Sequence, residues 1–345
     1  KRNAKTFSKN DLDMGRTNLV KHHIKLTDPI PFKEAYRRIP PQMYDEVKAH
    51  IQEMLDLGAI RPSNSPWASA IVLVRKKDGR LRFCIDLRRL NNRTVKDAYS
   101  LPKIESILDS LLGAKIFSTL DLKAGYWQVE MAEECKAYTA FTCGPLGFYE
   151  CDTMPFGATN APATFQRLMH DCLGDLNMRW CIVYLDDIII FSDTKEEHLK
   201  RPEAVFQKLA AAGLKLKPSK CFLFREEIEY LGHVVSGKGI STNPKKVEAV
   251  TKWPTPKTVY DVRSFLGFVG YYRRFIKDFS KISKPIREVI TGLENQSKRT
   301  AKKTLIEWTE AANSAFETLK ELCTSTPILA YPDYQLPFIL HTDSS

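Results

Sequence analysis

The chain lacks the features that define several common classes of protein. Its eight cysteines include no Cys-x-x-Cys pair, and its seven histidines do not cluster beside them, which argues against a zinc site and a disulfide framework. It has no apolar run of about 18 residues, so no membrane span is expected. It has no secretory signal, which favours an intracellular protein, and it begins with Lys1 rather than Met, so we expect a piece of a longer chain.

The chain also has no excess of acidic residues. Its 52 lysines and arginines outnumber its 41 aspartates and glutamates, which gives a formal net charge of +11. This balance favours a polyanionic partner such as nucleic acid, with an anionic membrane surface as the alternative. Residues 271–303 hold ten basic and three acidic side chains, interleaved with Tyr271, Tyr272 and Phe275. A nucleic-acid face is at least as well supported there as an ordinary solvated one.

Hydrophobic periodicity predicts both helices and strands. Helices are expected at about 43–58, 102–113, 160–176, 195–212, 260–279 and 309–323, and strands in 71–86, from 115, in 181–192 and in 221–240. Residues 1–40 are polar with weak periodicity, and the polar, basic residues 291–304 are interpreted as a linker. Pro202 lies inside the 195–212 helix, where an interior proline costs about 3 kcal/mol, so we expect a kink there.

Two adjacent aspartates interrupt an apolar segment that reads YLDDIIIFS. Asp186 and Asp187 would be costly to bury without compensation, because like charges side by side destabilise each other. One interpretation is a β-hairpin in which aspartate simply forms the turn. The other is a hairpin that binds a divalent cation. Asp121 ends a second apolar strand, and if the strands pair, three carboxylates meet and two magnesium ions would neutralise them.

A second hairpin is predicted at residues 71–86, with Asp78-Gly79 as its turn. Its tip carries four basic residues: Lys76, Lys77, Arg80 and Arg82. A solvated tip explains them, and a phosphate-binding tip is the alternative, because alternate residues such as Arg80 and Arg82 share one strand face.

Eight segments occur in an order that resembles one family. They are SPWAS, VRKKDGRLRFCIDLRRLN, FSTLDLKAGYWQ, TAFTCGPLGFYE, MPFGATNAPATFQ, YLDDIIIFS, YLGHVV and FLGFVGYYRRFI. Together they resemble the reverse transcriptase of gypsy-type LTR retrotransposons, which is a part of a Pol polyprotein. The resemblance implies an α+β fold of the right-hand polymerase type, followed by a connection segment. The parent polyprotein would also include ribonuclease H and endonuclease activities.

The resemblance implies a division of the chain. Residues 1–40 would be an N-terminal extension, 41–235 fingers and palm, 236–290 the thumb, 291–336 a connection or linker, and 337–345 the truncated start of a ribonuclease H domain. Asp343 would be the first carboxylate of that last domain. The other acidic ligands of such a site are absent, so we expect Asp343 to be inert here.

The resemblance also implies roles for individual residues. Asp121, Asp186 and Asp187 would be the catalytic residues and ligands of two Mg²⁺ ions, with Mn²⁺ as a substitute; Asp187 is the least certain ligand, because neighbouring strand residues face opposite ways. The nucleotide-binding residues would be Lys76, Arg82, Tyr126, Phe156 and Gly157, with Tyr126 as the steric gate against a ribose 2′-hydroxyl. The primer grip would be formed by Tyr230, Leu231, Gly232 and His233.

The implied function is RNA-directed DNA synthesis from dNTPs on an RNA or DNA template with a primer. No membrane is involved, a cytoplasmic virus-like particle is the expected location, and the oligomeric state stays open. A palm polymerase that makes RNA is one alternative, which Tyr126 argues against. The other is an inactive nucleic-acid-binding remnant of a decayed element, because Pro202 stands where relatives of this type usually have leucine. The intact aspartates argue against that remnant.

Overall fold

The computed structural model describes residues 3–75, 79, 81–325 and 329. Its helices are α1 (Tyr44–Asp56), α2 (Arg88–Arg93), α3 (Ile104–Asp109), α4 (Glu133–Lys136), α5 (Ala161–Leu173), α6 (Lys195–Ala211), α7 (Pro244–Thr251), α8 (Val259–Tyr271), α9 (Phe279–Glu288), α10 (Lys298–Ala301) and α11 (Glu310–Thr324). Within this part of the chain, no helix combines the length and the apolar character that a membrane crossing requires.

The strands are short and fall into four sheets. They are β1 (Thr17–His22), β2 (Ile60–Pro62), β3 (Ser69–Arg75), β4 (Leu81–Ile85), β5 (Ile116–Asp121), β6 (Val129–Met131), β7 (Phe141–Thr142), β8 (Phe148–Cys151), β9 (Cys181–Tyr184), β10 (Asp187–Ser192), β11 (Phe222–Arg225), β12 (Glu227–Tyr230), β13 (His233–Ser236) and β14 (Gly239–Thr242). The sheet orders are β1-β6, β11-β5-β10-β9, β2-β8-β7-β3-β4 and β12-β13-β14.

The chain divides into two compact units, each with its own hydrophobic core. The first unit comprises Lys1–Lys103 and Phe117–Phe224, and the second comprises Ile104–Ile116 and the described residues from Arg225 onward. This division groups residues differently from the predicted fingers, palm, thumb and connection, whose boundaries stay predictions. The predicted ribonuclease H start at 337–345, including Asp343, lies outside the described residues.

The first unit packs α5 and α6 with the four-stranded sheet that carries the acidic hairpin. The apolar stripe predicted on α5 is confirmed, since Phe165, Leu168 and Met169 are fully buried. The polar N-terminal segment also belongs to this core: Ile24 and Phe32 are buried, and β1 pairs with β6 in parallel. Weak periodicity in residues 1–40 therefore concealed a packed segment.

The second unit combines the antiparallel β12-β13-β14 sheet with helices that pack around Phe265 and Phe316. The helix predicted over 260–279 is interrupted, because α8 ends at Tyr271 and α9 begins at Phe279. The interpretation of 291–304 as a linker is wrong: α10 lies there, its Ala301 is buried, and Arg263 donates to the carbonyls of Leu293 and Gln296.

Helix α6 runs from Lys195 to Ala211, close to the predicted span, with Pro202 inside it, and the kink at that position stays a prediction. Its N-cap residue Thr194 accepts from the backbone N–H of Glu197, and Pro202 lies in the helix interior with its side chain buried. Proline has no N–H to donate to the carbonyl four residues earlier, which belongs to His198. The helix therefore forms at the expense of one interior hydrogen bond.

Candidate active site

The acidic hairpin has a turn that differs in detail from the prediction. Asp187 pairs with Tyr184 in the antiparallel β9–β10 register, so Leu185 and Asp186 form the turn and Asp187 begins β10. Leu185 has φ of 56°, a conformation that a bulky residue adopts only under strain. A turn formed only because aspartate favours it would not need a left-handed leucine, so this geometry favours the functional interpretation of the hairpin.

A buried glutamine on α5 holds this turn. The backbone N–H of Leu185 donates to Gln166 Oε1 at 2.9 Å, and Gln166 Nε2 donates to the carbonyl of Val183 at 3.1 Å. One side-chain amide thus uses both its acceptor and its donor on the same hairpin. Gln166 was not among the predicted site residues, although it is the last residue of the segment MPFGATNAPATFQ.

Asp186 is the most constrained carboxylate of the site. Its Oδ1 atom is buried and has no hydrogen-bond partner among the described residues. A β-carbon added to Gly125 would come within 2.6 Å of that oxygen and within 2.9 Å of the Phe165 ring. Burial raises the pKa of Asp186 to about 6, and the charges of Asp121 and Asp187 contribute to the rise. Gly125, which the sequence analysis also missed, therefore makes room for this side chain.

Asp121 and Asp187 lie beside Asp186 on neighbouring strands, because β5 and β10 are adjacent in the sheet. Lys220 Nζ contacts Asp121 Oδ2 at 2.8 Å and offsets part of the negative charge. Asp187 is exposed as a residue, yet partial desolvation of its carboxyl group and the charge of Asp121 raise its pKa. Lys220 is a third residue that the sequence analysis missed.

The donor set fits a hard divalent cation. Carboxylate oxygens are the ligands that such cations prefer, and the buried, unbonded Oδ1 of Asp186 is an acceptor that a cation would satisfy. The three aspartates do not bring one oxygen each within 4.8 Å of all the others; among the described residues the group that does is His23, Glu134 and Cys135. In this arrangement, therefore, a single cation does not contact all three aspartates at once.

The His23 group does not resemble a metal centre in its chemistry. The Cys135 thiol accepts from the backbone N–H of Ile24 and lies 3.6 Å from its carbonyl. Burial raises the pKa of this thiol, which disfavours the thiolate that a metal requires. His23 and Glu134 are both exposed, and His23 Nδ1 lies 3.2 Å from Glu134 Oε1. We interpret the group as a polar surface contact beside a core thiol.

Tyr126 lies in an aromatic group next to the acidic hairpin. Its ring stacks on Phe156 with centroids 5.2 Å apart and contacts Phe165 at 5.3 Å. Burial raises the pKa of Tyr126 to about 12, and the charge of Asp186 adds to the effect. Phe156 is 48% exposed, and Gly157 has φ of 93° with its carbonyl bonded by Asn91 Nδ2 at 2.8 Å. The structure brings Tyr126, Phe156 and Gly157 together.

Of the two basic residues predicted to bind nucleotide, Lys76 and Arg82, the structure describes only Arg82. Arg82 lies on β4 opposite Val74 of β3 and is exposed, which confirms the predicted hairpin. Lys76 and Arg80 lie outside the described residues. A nearby cleft is lined by Arg37, Asp86, Arg88 and Gly157, and both arginines bond to the buried Asp86 carboxylate at 2.6 Å.

A buried chain of polar groups connects the strands that carry the aspartates. Ser192 donates its hydroxyl hydrogen to the Thr194 carbonyl, so its oxygen must accept from His198 Nδ1–H at 2.8 Å. His198 Nε2 then accepts from Ser118 at 2.7 Å, and Ser118 accepts from the backbone N–H of Phe224. Burial lowers the pKa of His198 to about 4, so the ring stays neutral. This series of hydrogen bonds joins β5, β10, α6 and β11, and the direction of each bond in it is determined by its neighbours.

The residues predicted as a primer grip form a hairpin in the second unit. Tyr230 pairs with His233, and Leu231 and Gly232 form the turn, with φ of 45° and 77°. His233 is buried and packs among aromatic rings. The four predicted residues are therefore contiguous in one ordered turn.

Comparison with known proteins identifies two families that match parts of the chain. Residues 74–235 match the family described as reverse transcriptase (RNA-dependent DNA polymerase), and residues 308–345 match the RNase H-like domain found in reverse transcriptase. The second match begins before the predicted boundary at residue 337. Residues 74–235, which include the acidic hairpin, are thus similar to the reverse transcriptase family.

Relatives identify the type. The chain is 42% identical over 334 residues to the retrovirus-related Pol polyprotein from transposon 297 of Drosophila melanogaster, covering 95% of this chain and 31% of the relative. It is 39% identical to the Pol polyprotein from transposon gypsy of the same organism, covering 100% of this chain and 34% of the relative. The chain spans about a third of the length of these relatives. Residues 74–235 belong to the reverse transcriptase family, and the chain as a whole is similar to the corresponding part of gypsy-type Pol polyproteins.

Solved structures give the same fold. The foamy viral protease-reverse transcriptase in complex with dsDNA aligns with a TM-score of 0.85 at 25% identity, covering 97% of this chain and 68% of that one. The same enzyme in complex with an RNA/DNA hybrid aligns with a TM-score of 0.81 at 25% identity, covering 95% of this chain and 43% of that one. The predicted α+β right-hand polymerase fold is therefore confirmed.

Proposed function

We propose that the chain copies retrotransposon RNA into DNA by transferring deoxynucleotides from dNTPs to a primer 3′-hydroxyl. The observation that carries this proposal is the buried, unbonded Oδ1 of Asp186 on a strained turn beside Asp121. Burying such an acceptor without a partner is costly unless a cation completes it. The net charge of +11 supports a nucleic-acid partner.

Asp121 and Asp186 would hold two divalent cations, with Asp187 as a third, outer contributor. Magnesium is the proposed ion and manganese a substitute, because carboxylate and phosphate oxygens suit both. When bound, such a pair activates an attacking oxygen and stabilises a leaving group. The protein itself supplies position and charge: Gln166 fixes the turn that aims Asp186, and Lys220 moderates the repulsion of Asp121.

Tyr126 is proposed as the gate that selects the sugar. Its ring packs against Phe156 and Phe165, so a change of its rotamer would lose both ring contacts. Gly157 and Phe156 would form the floor of the nucleotide pocket, and Arg82, with Lys76, would bind the triphosphate. Tyr230, Leu231, Gly232 and His233 would contact the primer strand.

The proposed partners are an RNA or DNA template with a primer, and dNTPs. The complexes of the similar foamy viral enzyme with dsDNA and an RNA/DNA hybrid support the nucleic-acid partner. An intracellular, cytoplasmic virus-like particle is the proposed location. Other activities of the parent polyprotein, including ribonuclease H, belong to a protein about three times as long.

The test is primer extension on poly(rA)/oligo(dT) with magnesium and either dNTPs or rNTPs. We expect DNA synthesis by the wild type, loss of about a thousandfold in Asp186→Asn, and little change in Asp175→Asn, which removes an exposed carboxylate of the same unit. Primer–template binding should stay nearly constant in Asp186→Asn. Extension by Asp186→Asn within tenfold of the wild type would refute the metal assignment. RNA synthesis, or binding without synthesis, would favour the two alternatives.

The gate has its own test. Tyr126→Ala should admit ribonucleotides, because the ring is the proposed obstacle to the 2′-hydroxyl, whereas Tyr126→Phe keeps the ring and should retain discrimination. Single-nucleotide incorporation with dNTP and rNTP measures the ratio. An unchanged ratio in Tyr126→Ala would place the gate elsewhere.

A further inference from the structure

The Leu231–Gly232 turn carries an unfavourable residue at its first position. Both turn residues have positive φ, the sign pattern of a type I′ turn. That turn prefers asparagine or glycine first, because the β-carbon of a larger residue is strained there. Leucine gives no local reason for the conformation, so contacts from outside the hairpin must favour it.

Two hydroxyls at the end of α8 bond to this turn. The Tyr271 hydroxyl donates to the Leu231 carbonyl, and the Tyr272 hydroxyl donates to the Gly232 carbonyl at 2.9 Å. Backbone carbonyls at partly buried positions require donors, and each of these two receives one from a tyrosine hydroxyl. Consecutive tyrosines of one helix end therefore bond to consecutive carbonyls of the turn.

His233 reinforces the same turn. Its Nδ1 lies 3.0 Å from the Leu231 carbonyl, and because a carbonyl only accepts, Nδ1 carries the hydrogen. Its ring packs against Tyr271 and Phe275, with centroids 5.1 and 5.7 Å apart. Burial lowers the pKa of His233, which keeps the ring neutral. The Leu231 carbonyl thus accepts from two side chains.

We propose that Tyr271 and Tyr272 are positioning residues that hold the Leu231–Gly232 turn in its left-handed form and so set the surface offered to the primer strand. The inference rests on the proposed polymerase function, in which residues 230–233 contact the primer. The tyrosines act through the turn and need not touch the primer themselves.

The first test removes the hydroxyls and keeps the rings. The double variant Tyr271→Phe/Tyr272→Phe should raise the KM for primer–template about tenfold, because each lost hydrogen bond corresponds to roughly two- to tenfold. The KM for dNTP should stay within about twofold, because the nucleotide site is not altered. Tyr260→Phe, on the same helix, is the matched control and should behave as the wild type. An unchanged primer–template KM, or an equal rise in the control, would overturn the proposal.

The second test asks whether the hydroxyls act through backbone conformation. Glycine adopts positive φ without a side-chain penalty, so Leu231→Gly should make the turn less dependent on its donors. In that background the two Tyr→Phe changes should alter the primer–template KM by less than about twofold. An undiminished tenfold effect would show that the hydroxyls do something other than hold the turn, and would reject the proposal.

The third test does not need activity. Amide hydrogen exchange of residues 227–236 should accelerate in Tyr271→Phe/Tyr272→Phe and stay at the wild-type rate in Tyr260→Phe. If the wild type extends no primer, the proposed function fails, and this measurement still decides whether the tyrosines hold the turn. Unchanged exchange in the double variant would overturn that role.

Discussion

The turns of the acidic hairpin and of the β12–β13 hairpin are both preceded by tyrosine and begin with leucine, but different side chains hold them. Tyr184-Leu185 and Tyr230-Leu231 each place a leucine at positive φ in a two-residue turn, a strain of about 1–3 kcal/mol. In the first unit a buried amide, Gln166, bonds to the turn from within the core. In the second unit two phenol hydroxyls bond to it from a helix end. Similar local sequences therefore reach strained turns only because distant side chains stabilise them.

The second difference lies in the residue after the leucine. Asp186 is a charged residue whose Oδ1 is buried, whereas Gly232 has no side chain. The first turn is thus constrained around a carboxylate, and the second is constrained in its backbone. Changes near the first should affect catalysis, and changes near the second should affect primer binding.

The largest contrast is expected for two glycines. Gly125→Ala would place a β-carbon 2.6 Å from Asp186 Oδ1 and 2.9 Å from a buried ring, so Asp186 must move, and we expect a loss of about a hundredfold in extension rate. Gly232→Ala meets the flexible end of Lys246, which can shift, so only its positive φ is costly, and the loss should stay near tenfold or less. Primer extension measures both. Equal losses of extension rate in Gly125→Ala and Gly232→Ala would contradict the proposed difference between the two turns.

The amide of Gln166 is the next test. Gln166→Leu leaves the Leu185 N–H and the Val183 carbonyl without a partner, which should lower the free energy of unfolding by about 1–3 kcal/mol. The extension rate at saturating primer should fall, while the primer–template KM stays constant. The tyrosine variants of the second hairpin should do the reverse. Urea unfolding measures the stability, and steady-state kinetics measures the extension rate and the primer–template KM. A change in the primer–template KM alone would contradict the role of Gln166 in holding the acidic turn.

Of the two turns, only the acidic one is expected to make the free energy of unfolding depend on pH. The pKa of Asp186 is raised from its ordinary 3.8 to about 6 in the folded state, so ionisation disfavours folding. With a chelator present, Asp186→Asn should be more stable than the wild type by about 1–3 kcal/mol above pH 6, and the gain should vanish below about pH 4. Thermal unfolding across this range measures it. Leu231→Gly should show no such pH dependence, and a constant gain for Asp186→Asn would argue against the raised pKa.

Pro202→Leu should have the smallest effect. The substitution restores an N–H that can donate to the His198 carbonyl in α6. His198 is also a member of the hydrogen-bonded group of polar residues that supports the first hairpin. The proline side chain is buried, so leucine must fit a packed site, and we expect a net gain of about 1 kcal/mol rather than the full interior cost. A fall in melting temperature would mean that the packing outweighs the hydrogen bond.

The sequence predicted the elements and the charged residues, because both leave local patterns. The apolar stripe of α5 and the hairpin that carries Asp186 and Asp187 follow from periodicity. Gln166 and Gly125 were not predicted, since each acts on a residue many positions away. A left-handed leucine is also invisible in sequence, because leucine ordinarily avoids that region.

Two segments show why weak periodicity misleads. Residues 1–40 and 291–304 are rich in polar residues, yet Phe32 and Ala301 are buried. A few apolar residues are sufficient when the segment lies along an existing core, as β1 does through its pairing with β6. Such pairing over a long sequence separation has no local signature.

The ordered hydrogen bonds around His198 have a consequence for inheritance. Because Ser192 already donates to a carbonyl, only a side chain that can accept there satisfies His198 Nδ1–H, and only a donor at Ser118 satisfies Nε2. Replacing Ser192 with alanine strands His198 Nδ1–H, and replacing Ser118 strands both His198 Nε2 and the Phe224 N–H, whereas replacing all three residues with apolar ones strands only the Phe224 N–H. We therefore expect a change at position 118 among descendants of this element to be accompanied by a change at position 198.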